Sequence, residues 1–247
     1  MIWSCHGIKG WNYAVVQFAA AADGYVRNPT LDSHDKTRLS LFPDARRCRR
    51  NRGIMNLYQQ SPFDIMPILQ TEHLILRKLT MRDAEDIFAY SRDPEVARHV
   101  LWDAHEAIGE SRSYIRYMLR KYRQGEPSSW GLQHKASGRI IGTIGYMWYQ
   151  RENNACEVGY SLSRAHWGQG LMTEALKAVL DYSFDTLNLH RVEAQYELTN
   201  PASGAVMRKA GMSYEGTLRG RLYNKGRYVD VAVFSMVRED RRNRMGR

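Results

Sequence analysis

The segment from Glu157 to Ala175 constrains the fold most, because an alternating strand, a glycine turn and the start of an amphipathic helix follow one another there. Gly168 and Gly170 stand two residues apart where the strand pattern changes to the helix pattern. Such glycines let the backbone approach a ligand closely, and the free N–H groups of the next helix favour an anion. A tight turn would also use glycine without any ligand, so this turn alone leaves both interpretations open.

Two common phosphate-binding classes do not fit this turn. It lacks the third glycine of a dinucleotide fingerprint and the Gly-Lys-Ser/Thr end of a nucleotide P-loop, which excludes Rossmann and kinase interpretations. The composition, 43% hydrophobic and 25% charged, is typical of a globular protein with a packed core. A net charge of +10 favours anionic partners such as phosphorylated cofactors or nucleic acid.

Hydrophobic periodicity predicts an α/β fold with a mixed sheet and the element order β-α-α-β-β-β-α-β-α-β-β. Thr80 and Asp83 form a capping-box pattern, Gly125 is placed to end a helix, and residues 135–138 read as a hairpin turn. The predicted strands are 73–79, 130–134, 139–149, 155–162, 191–198, 213–218 and 228–237, and the predicted helices begin near Thr80 and cover 111–124, 171–184 and 202–210.

Hydrophobic periodicity and the distribution of basic residues change along the chain, which predicts one domain with extensions. We expect a weakly ordered basic extension over 1–54, a lead-in over 55–69, the domain itself over 70–239 and a basic tail over 240–247. The basic clusters near both ends favour solvated segments, with nucleic-acid contact as the alternative, and translation could also start at Met55. These clusters are Arg46, Arg47, Arg49, Arg50 and Arg52, and Arg238, Arg241, Arg242, Arg244 and Arg247.

Cysteine usage and hydropathy indicate a cytoplasmic setting. The three cysteines, Cys5, Cys48 and Cys156, show no spacing typical of a disulfide framework or a zinc site. The longest apolar run, 13–22, is about ten residues and only loosely imitates a signal peptide, whereas a membrane span needs about 20. We therefore expect a reducing compartment, no bound metal and no membrane partner.

Three separated motifs carry a family resemblance over about 70–239. They are Thr71-Glu72-His73-Leu74-Ile75-Leu76-Arg77, Trp167-Gly168-Gln169-Gly170-Leu171-Met172-Thr173-Glu174-Ala175, and Asn200-Pro201-Ala202-Ser203 followed by Val206, Lys209, Ala210, Gly211 and Met212. Together they resemble the GNAT acetyltransferases of the RimJ/RimL type, which acetylate the N-termini of ribosomal proteins. The resemblance implies the GNAT fold, in which a central splayed mixed sheet is flanked by helices, and acetyl-CoA as co-substrate.

The resemblance also implies where acetyl-CoA binds: the pyrophosphate on the glycine turn, and the pantetheine against backbone near Leu162, with the thioester near Tyr160. Trp167 and Met172 depart from the general GNAT loop, but the backbone N–H groups would still face the phosphates. The expected cofactor-binding residues are Leu162, Trp167, Gly168, Gln169, Gly170, Leu171, Met172, Thr173, Asn200 and Ser203.

Two residues are the expected catalytic groups. Glu157 shares a strand face with Gly159 and is the candidate general base, directly or through water, with an ion pair to a neighbouring arginine as the alternative. The resemblance implies that the Ser203 hydroxyl protonates the departing thiolate, whereas the alternative is a plain helix-start serine. Tyr160 and Tyr196 are the other candidate acids, or else packed strand aromatics.

The sequence thus predicts an N-acetyltransferase that uses acetyl-CoA and acts by direct transfer in a ternary complex. The favoured acceptor, from resemblance alone, is the N-terminal α-amine of a ribosomal or other protein. A small amine such as a polyamine or an aminoglycoside is the alternative, because this superfamily reuses one cofactor site under divergent acceptor pockets. A CoA-sensing or RNA-associated module without turnover is the third interpretation. Ribosome association and either a monomer or a homodimer fit the sequence.

Overall fold

The computed structural model describes residues 61–245, and the side chains of residues 61–241. An open sheet of eight strands forms its centre. The strands are β1 (Leu69–Gln70), β2 (Leu74–Arg77), β3 (Ser129–His134), β4 (Ile140–Gln150), β5 (Ala155–Leu162), β6 (Arg191–Glu197), β7 (Ser213–Asn224) and β8 (Arg227–Val237). The helices are α1 (Ala84–Ser91), α2 (Pro94–Ala97), α3 (Ile108–Gln124), α4 (Leu171–Asp181), α5 (Pro201–Ala210) and α6 (Arg238–Met245).

The strands lie in the order β1-β2-β3-β4-β5-β6-β8-β7. All neighbours are antiparallel except β5 and β6, which run parallel and are joined through α4. A parallel pair needs such a crossover connection, because its second strand must begin at the same end of the sheet as the first. The one parallel pair therefore lies at the centre of an otherwise antiparallel sheet.

The predicted mixed sheet and the predicted order of strands and helices are confirmed. The sequence pattern did not predict three short elements, namely β1, α2 and α6. Strand β7 continues to Asn224, beyond its predicted end at residue 218, because bulges keep a bent, exposed strand paired with β8. Helix α4 ends at Asp181 and widens into a π-helical turn over Tyr182–Thr186.

Apolar side chains bury both faces of the sheet. On one face, Trp130 and Ile144 of the central strands pack with Leu176 of α4 in the larger cluster, and all three are fully buried. On the other face, Ile87 of α1 and Ile115 of α3 lie in the second cluster. Burial of these side chains on both sides fixes the register of the central strands, because a slip by one residue would exchange the faces.

Local sequence signals end and connect the elements as expected. The Asp83 carboxylate accepts the backbone N–H of Thr80 at 2.7 Å, which forms the predicted capping box, and it also binds Arg77 through two hydrogen bonds of 2.8 and 2.9 Å. Gly125 ends α3 with φ of 62° and Gly138 closes the β3–β4 hairpin with φ of 70°, both values that favour glycine.

The C-terminal arginines are bound to the domain more closely than a solvated tail would be. Arg238 donates to the carbonyl oxygens of Phe184 and Leu189, at 3.0 and 2.6 Å. Arg241 forms ion pairs with Asp181, at 2.6 Å, and with Asp185. The expectation of a solvated run is therefore wrong for these two arginines, because α6 continues the sheet's last strand and carries them against the turn after α4.

Several expectations lie outside the described residues. They concern the basic extension 1–54 with its arginine cluster, the lead-in residues 55–60, and the side chains of Arg242, Arg244 and Arg247. The domain limits 70–239 stay our proposal. Within residues 61–245, no helix has both the length and the apolar character that crossing a membrane requires.

Gly145 of β4 provides a test of the packing between strands. A Cβ at this position would clash with the backbone of Ser128 and Ser129, which cannot move without disturbing β3. We expect Gly145→Ala to lower the free energy of unfolding by about 1–3 kcal/mol, the usual cost of overpacking. Gly109→Ala, in α3 with open space around it, should instead be neutral or stabilise by up to about 1 kcal/mol. Urea denaturation of both variants checks this, and equal effects would contradict it.

Candidate active site

The glycine turn after β5 has the backbone conformation that its glycines suggest. Gly168 and Gly170 have φ of 75° and 80°, and a Cβ at either position would meet no atom of the described residues within 4 Å. Two side chains hold the turn: the Trp167 indole N–H donates to the Leu162 carbonyl at 2.8 Å, and the Gln169 amide donates to the Ala165 carbonyl at 3.0 Å. These two hydrogen bonds therefore hold the conformation of the turn, while the space beside its two glycines is open.

Helix α4 begins at this open turn and directs its N-terminus toward it. The side chains of Leu171 and Met172 are buried in the core, so only their backbone N–H groups remain for a ligand, while Thr173 in the same turn is partly buried. The first N–H groups of a helix have no partner inside the helix, and they carry the positive end of its dipole. Open space, two glycines and these donors together fit a diphosphate group.

Strands β5 and β6 separate just before this turn. They are paired only from Ala155 to Glu157 on β5, opposite Arg191 to Glu193 on β6, although β5 continues to Leu162 and β6 to Glu197. Among residues 61–245, no strand pairs with the β6-facing edge of β5 beyond Glu157. An extended ligand could pair there as an added strand does. The splay that the family resemblance implies is thus present.

Glu157 lies at the point where the two strands separate. Its carboxylate accepts the indole N–H of Trp148 at 2.6 Å and the side-chain amide N–H of Gln195 at 3.1 Å. Burial raises the pKa of this carboxyl above its ordinary value, although the two hydrogen bonds act in the opposite direction. Both of these partners are neutral side chains.

The other carboxylates near this part of the sheet are bound to arginine. Arg191 binds Glu193 at 2.6 Å and also Glu215, and Arg227 binds Glu197. Hydrogen bonds from Arg191 and Ser235 lower the pKa of Glu215 to about 2. The pKa of Glu197 is also lowered, because hydrogen bonds from Thr199 and His99 and the charge of Arg227 outweigh its burial. Glu157 differs from Glu197 and Glu215 in having a raised pKa, as a proton acceptor requires.

The start of α5 brings a second polar group against β5. Asn200 caps the helix, and its side-chain oxygen accepts the backbone N–H of Ser203 at 3.4 Å. The Ser203 hydroxyl lies 2.9 Å from the hydroxyl of Tyr160 on β5, which also donates to the Ser203 carbonyl at 3.1 Å. Burial raises the pKa of Tyr160, so this phenol stays protonated at neutral pH.

The structure brings most of the predicted residues together and adds others. Sequence reasoning missed Trp148 and Gln195 as partners of Glu157, because both lie on other strands. It also missed Met147, whose sulfur would be 2.7 Å from a Cβ on Gly159 and therefore covers the strand face that Gly159 shares with Glu157. Within residues 61–241, no group of three or more His, Cys, Asp or Glu side chains is placed to hold a metal ion.

The remaining aromatic and histidine candidates pack against their surroundings. Tyr196 lies against Gly204 of α5, where a Cβ would be 2.6 Å from its hydroxyl, and beside Phe234 with ring centroids 6.0 Å apart. His166 is half-buried and packs edge-on against His134, with 5.4 Å between ring centroids. Tyr160 is thus the only one of these aromatic groups whose hydroxyl reaches Ser203.

Comparison with known proteins agrees with this geometry. Residues 73–213 match the acetyltransferase (GNAT) domain family. The N-acetyltransferase p20 of Bacillus licheniformis is 34% identical over 175 residues, which cover 71% of this chain and 98% of that protein. The [ribosomal protein uS5]-alanine N-acetyltransferase of Escherichia coli K12 is 28% identical over 180 residues, 70% of this chain and 91% of that enzyme.

A solved structure extends the comparison to the fold. RimL, the ribosomal L7/L12 alpha-N-protein acetyltransferase in complex with coenzyme A, superposes with a TM-score of 0.62 at 20% identity. The match covers 69% of this chain and 98% of that one. At this identity the likeness concerns the fold alone.

The chain therefore belongs to the GNAT acetyltransferase family and is an N-acetyltransferase. Within that family it is RimJ/RimL-like, because its relatives include the uS5-alanine N-acetyltransferase at 28% identity and the solved ribosomal-protein-S5-alanine acetyltransferase of Vibrio fischeri at 26% identity and a TM-score of 0.63. The glycine turn, the splayed strands and Glu157 all lie within the matched residues 73–213.

Proposed function

We propose that this enzyme transfers the acetyl group of acetyl-CoA to the N-terminal α-amine of a protein, in a ternary complex. The observation that carries the proposal is the position of Glu157, a carboxylate with neutral partners and a raised pKa where β5 and β6 separate. On the same strand, Tyr160 with its partner Ser203 follows Glu157, and the turn that fits a diphosphate comes after the end of the strand. Direct transfer needs a base, a donor site and an acid together.

The donor site fits acetyl-CoA, which supplies the acetyl group as a thioester when bound. The backbone N–H groups of Gly168, Gly170 and the first turn of α4 would hold its diphosphate, and Trp167 and Gln169 keep the turn in shape. The unpaired edge of β5 up to Leu162 would hold the pantetheine through backbone hydrogen bonds, and Asn200 would hold it from the other side.

Glu157 acts as the general base on the acceptor. An ammonium group cannot attack a carbonyl, so a proton must leave the acceptor nitrogen first. The carboxylate accepts this proton directly or through one water molecule. Burial raises the pKa of the Glu157 carboxyl, which makes the ionised carboxylate a stronger base.

Ser203 and Tyr160 form the acid side of the site. Their hydroxyls lie 2.9 Å apart, and the Tyr160 hydroxyl also donates to the Ser203 carbonyl at 3.1 Å. We assign the direct donor to Ser203, because Tyr160 gives its one proton to that carbonyl whereas Ser203 keeps its own. Tyr160, whose raised pKa keeps it protonated, holds that hydroxyl in place.

A protein N-terminus suits this base better than an ordinary amine does. With a pKa near 8, roughly a quarter of α-amines are already neutral at pH 7.4, against about one in a thousand lysine-type amines. A smaller fraction of α-amines than of lysine-type amines must therefore lose a proton to the carboxylate before attack. The uS5-alanine acetyltransferase relative supports an acceptor of the ribosome, and with it a cytoplasmic enzyme that meets ribosomal proteins.

The acceptor is tested by measuring the release of CoA with a thiol reagent. Peptides that begin with Ala, Ser or Thr are compared with the same peptides blocked at the N-terminus, with polyamines and with aminoglycosides. We expect a kcat/KM for free peptides at least tenfold above that for the other compounds. Preference for a small amine would replace the protein acceptor, and equal turnover of blocked peptides would move the reaction to side-chain amines.

The donor site is tested at Gly170. A valine there cannot adopt the positive φ without strain and places its side chain in front of the N–H groups, so Gly170→Val should weaken acetyl-CoA binding at least tenfold in calorimetry. Gly226→Val, at a φ of 84° in the β7–β8 turn, imposes the same kind of strain away from α4 and should leave the Kd unchanged. Equal affinities of both variants for acetyl-CoA would refute the donor site.

The acid pair is tested by removing one hydroxyl at a time. Ser203→Ala should lower kcat by about 10²-fold or more, with little change in acetyl-CoA affinity, because proton transfer to a leaving group contributes about 10²–10⁴. Tyr160→Phe should lower kcat less, since Ser203 keeps its own proton. A larger loss of kcat in Tyr160→Phe than in Ser203→Ala would reverse the two roles.

A further inference from the structure

Trp148 reaches Glu157 because of a bulge in β4. The register between β4 and β5 pairs Tyr146 with Val158 and then Trp148 with Glu157, so Met147 is an extra residue without an opposite partner. Residues directly opposite in an antiparallel pair have their side chains on the same face. The bulge therefore turns Trp148, and not Met147, toward Glu157, and its indole N–H reaches Oε2 at 2.6 Å.

Gln195 reaches the same carboxylate from the other side. Glu157 is paired with Glu193 of β6, and Gln195 lies two residues further along the same face, just beyond the end of the pairing between β5 and β6. Its amide donates to Oε1 at 3.1 Å, across the beginning of the gap. Each carboxylate oxygen thus has one neutral donor, and the two donors come from strands on opposite sides of β5.

We propose that Trp148 and Gln195 are positioning residues that hold the Glu157 carboxylate in one orientation at the mouth of the gap between β5 and β6. This inference rests on the proposed base role of Glu157. A carboxylate has about four lone-pair positions, of which these donors take two, so the remaining positions can accept the proton of the acceptor amine. Fixing the side chain avoids the loss of rotamer freedom during the reaction.

The two donors also adjust the protonation of Glu157. They stabilise the ionised carboxylate and so oppose burial, which raises its pKa. The charged groups that face it are Glu193 on β6, which raises the pKa further, and Arg221 on β7, which lowers it. Glu193 is itself bound by Arg191, and the Cys156 thiol beside Glu157 is neutral because burial raises its pKa. Removing a neutral donor changes none of these charges.

The first experiment measures protonation directly in the full-length enzyme. A ¹³C NMR titration follows the Glu157 carboxyl signal, assigned by its absence in Glu157→Gln. Trp148→Phe keeps an aromatic ring but removes the donor, and Gln195→Met keeps the length of the side chain without the amide. We expect each change to move the titration midpoint up by about one pH unit, because the ionised form loses a hydrogen bond.

Tyr149→Phe is the matched control, because it removes a hydroxyl from the next residue of β4. That hydroxyl donates to Asn154 at 3.3 Å, away from Glu157. The control should leave the titration midpoint of Glu157 unchanged. Thermal unfolding of all variants shows that each is folded at the titration temperature. An unmoved midpoint in both Trp148→Phe and Gln195→Met would overturn the positioning role.

The second experiment compares kcat against pH at saturating acetyl-CoA and peptide. If Glu157 is the base, kcat falls at low pH as its carboxylate becomes protonated, and this acidic limb of the profile disappears in Glu157→Gln. In Trp148→Phe and Gln195→Met, the limb moves to higher pH together with the NMR midpoint. Two outcomes would overturn the base role and with it the positioning role. In one, Glu157→Gln keeps the acidic limb of the kcat profile. In the other, the limb stays at the same pH in Trp148→Phe and Gln195→Met although the NMR midpoint moves. A limb lost in Glu157→Gln together with unmoved midpoints would overturn the positioning role alone.

Discussion

The early end of pairing between β5 and β6 is the constraint on which the rest of the site depends. Pairing stops at Glu157 and Glu193, in the middle of a continuous sheet. Buried backbone groups without partners are costly, so a sheet tolerates such an opening only where a ligand or water satisfies them. In the proposed mechanism, the opening would give acetyl-CoA a strand edge to bind, and it would place the Glu157 carboxylate beside the acceptor.

The opening is stabilised by packing on either side of it. Four side chains around the end of the pairing are fully buried in the core: Cys156 and Val158 of β5, and Val192 and Ala194 of β6. Pairing of the two strands beyond Glu157 would therefore have to move the core. Gly204 of α5 lets the helix approach the ring of Tyr196 closely, because any Cβ would meet that ring. This close packing keeps the helix, and with it Ser203, next to Tyr160.

The sequence predicts those features that depend on neighbouring residues. The glycine turn, the capping box at Thr80 and the order of the elements follow from local patterns, and the structure contains them. The splay between β5 and β6 came only from the family resemblance, since nothing in either strand signals where pairing ends. The partners of Glu157 depend on a one-residue bulge in β4, and alternation in β5 alone cannot predict which residue faces it. Arg241 was misjudged for the same reason, because Asp181 and Asp185 are distant in sequence.

The turn at Gly168 and Gly170 presents main-chain N–H groups, while its side chains only support it from behind. Natural sequence drift can therefore exchange Trp167 or Gln169 for other residues without deleting a single donor, provided that the two glycines keep their conformation. The cleft beside Glu157 is built from side chains instead, and each substitution there alters what it contacts. Such a protein can change its acceptor over evolutionary time while its donor site stays as it is.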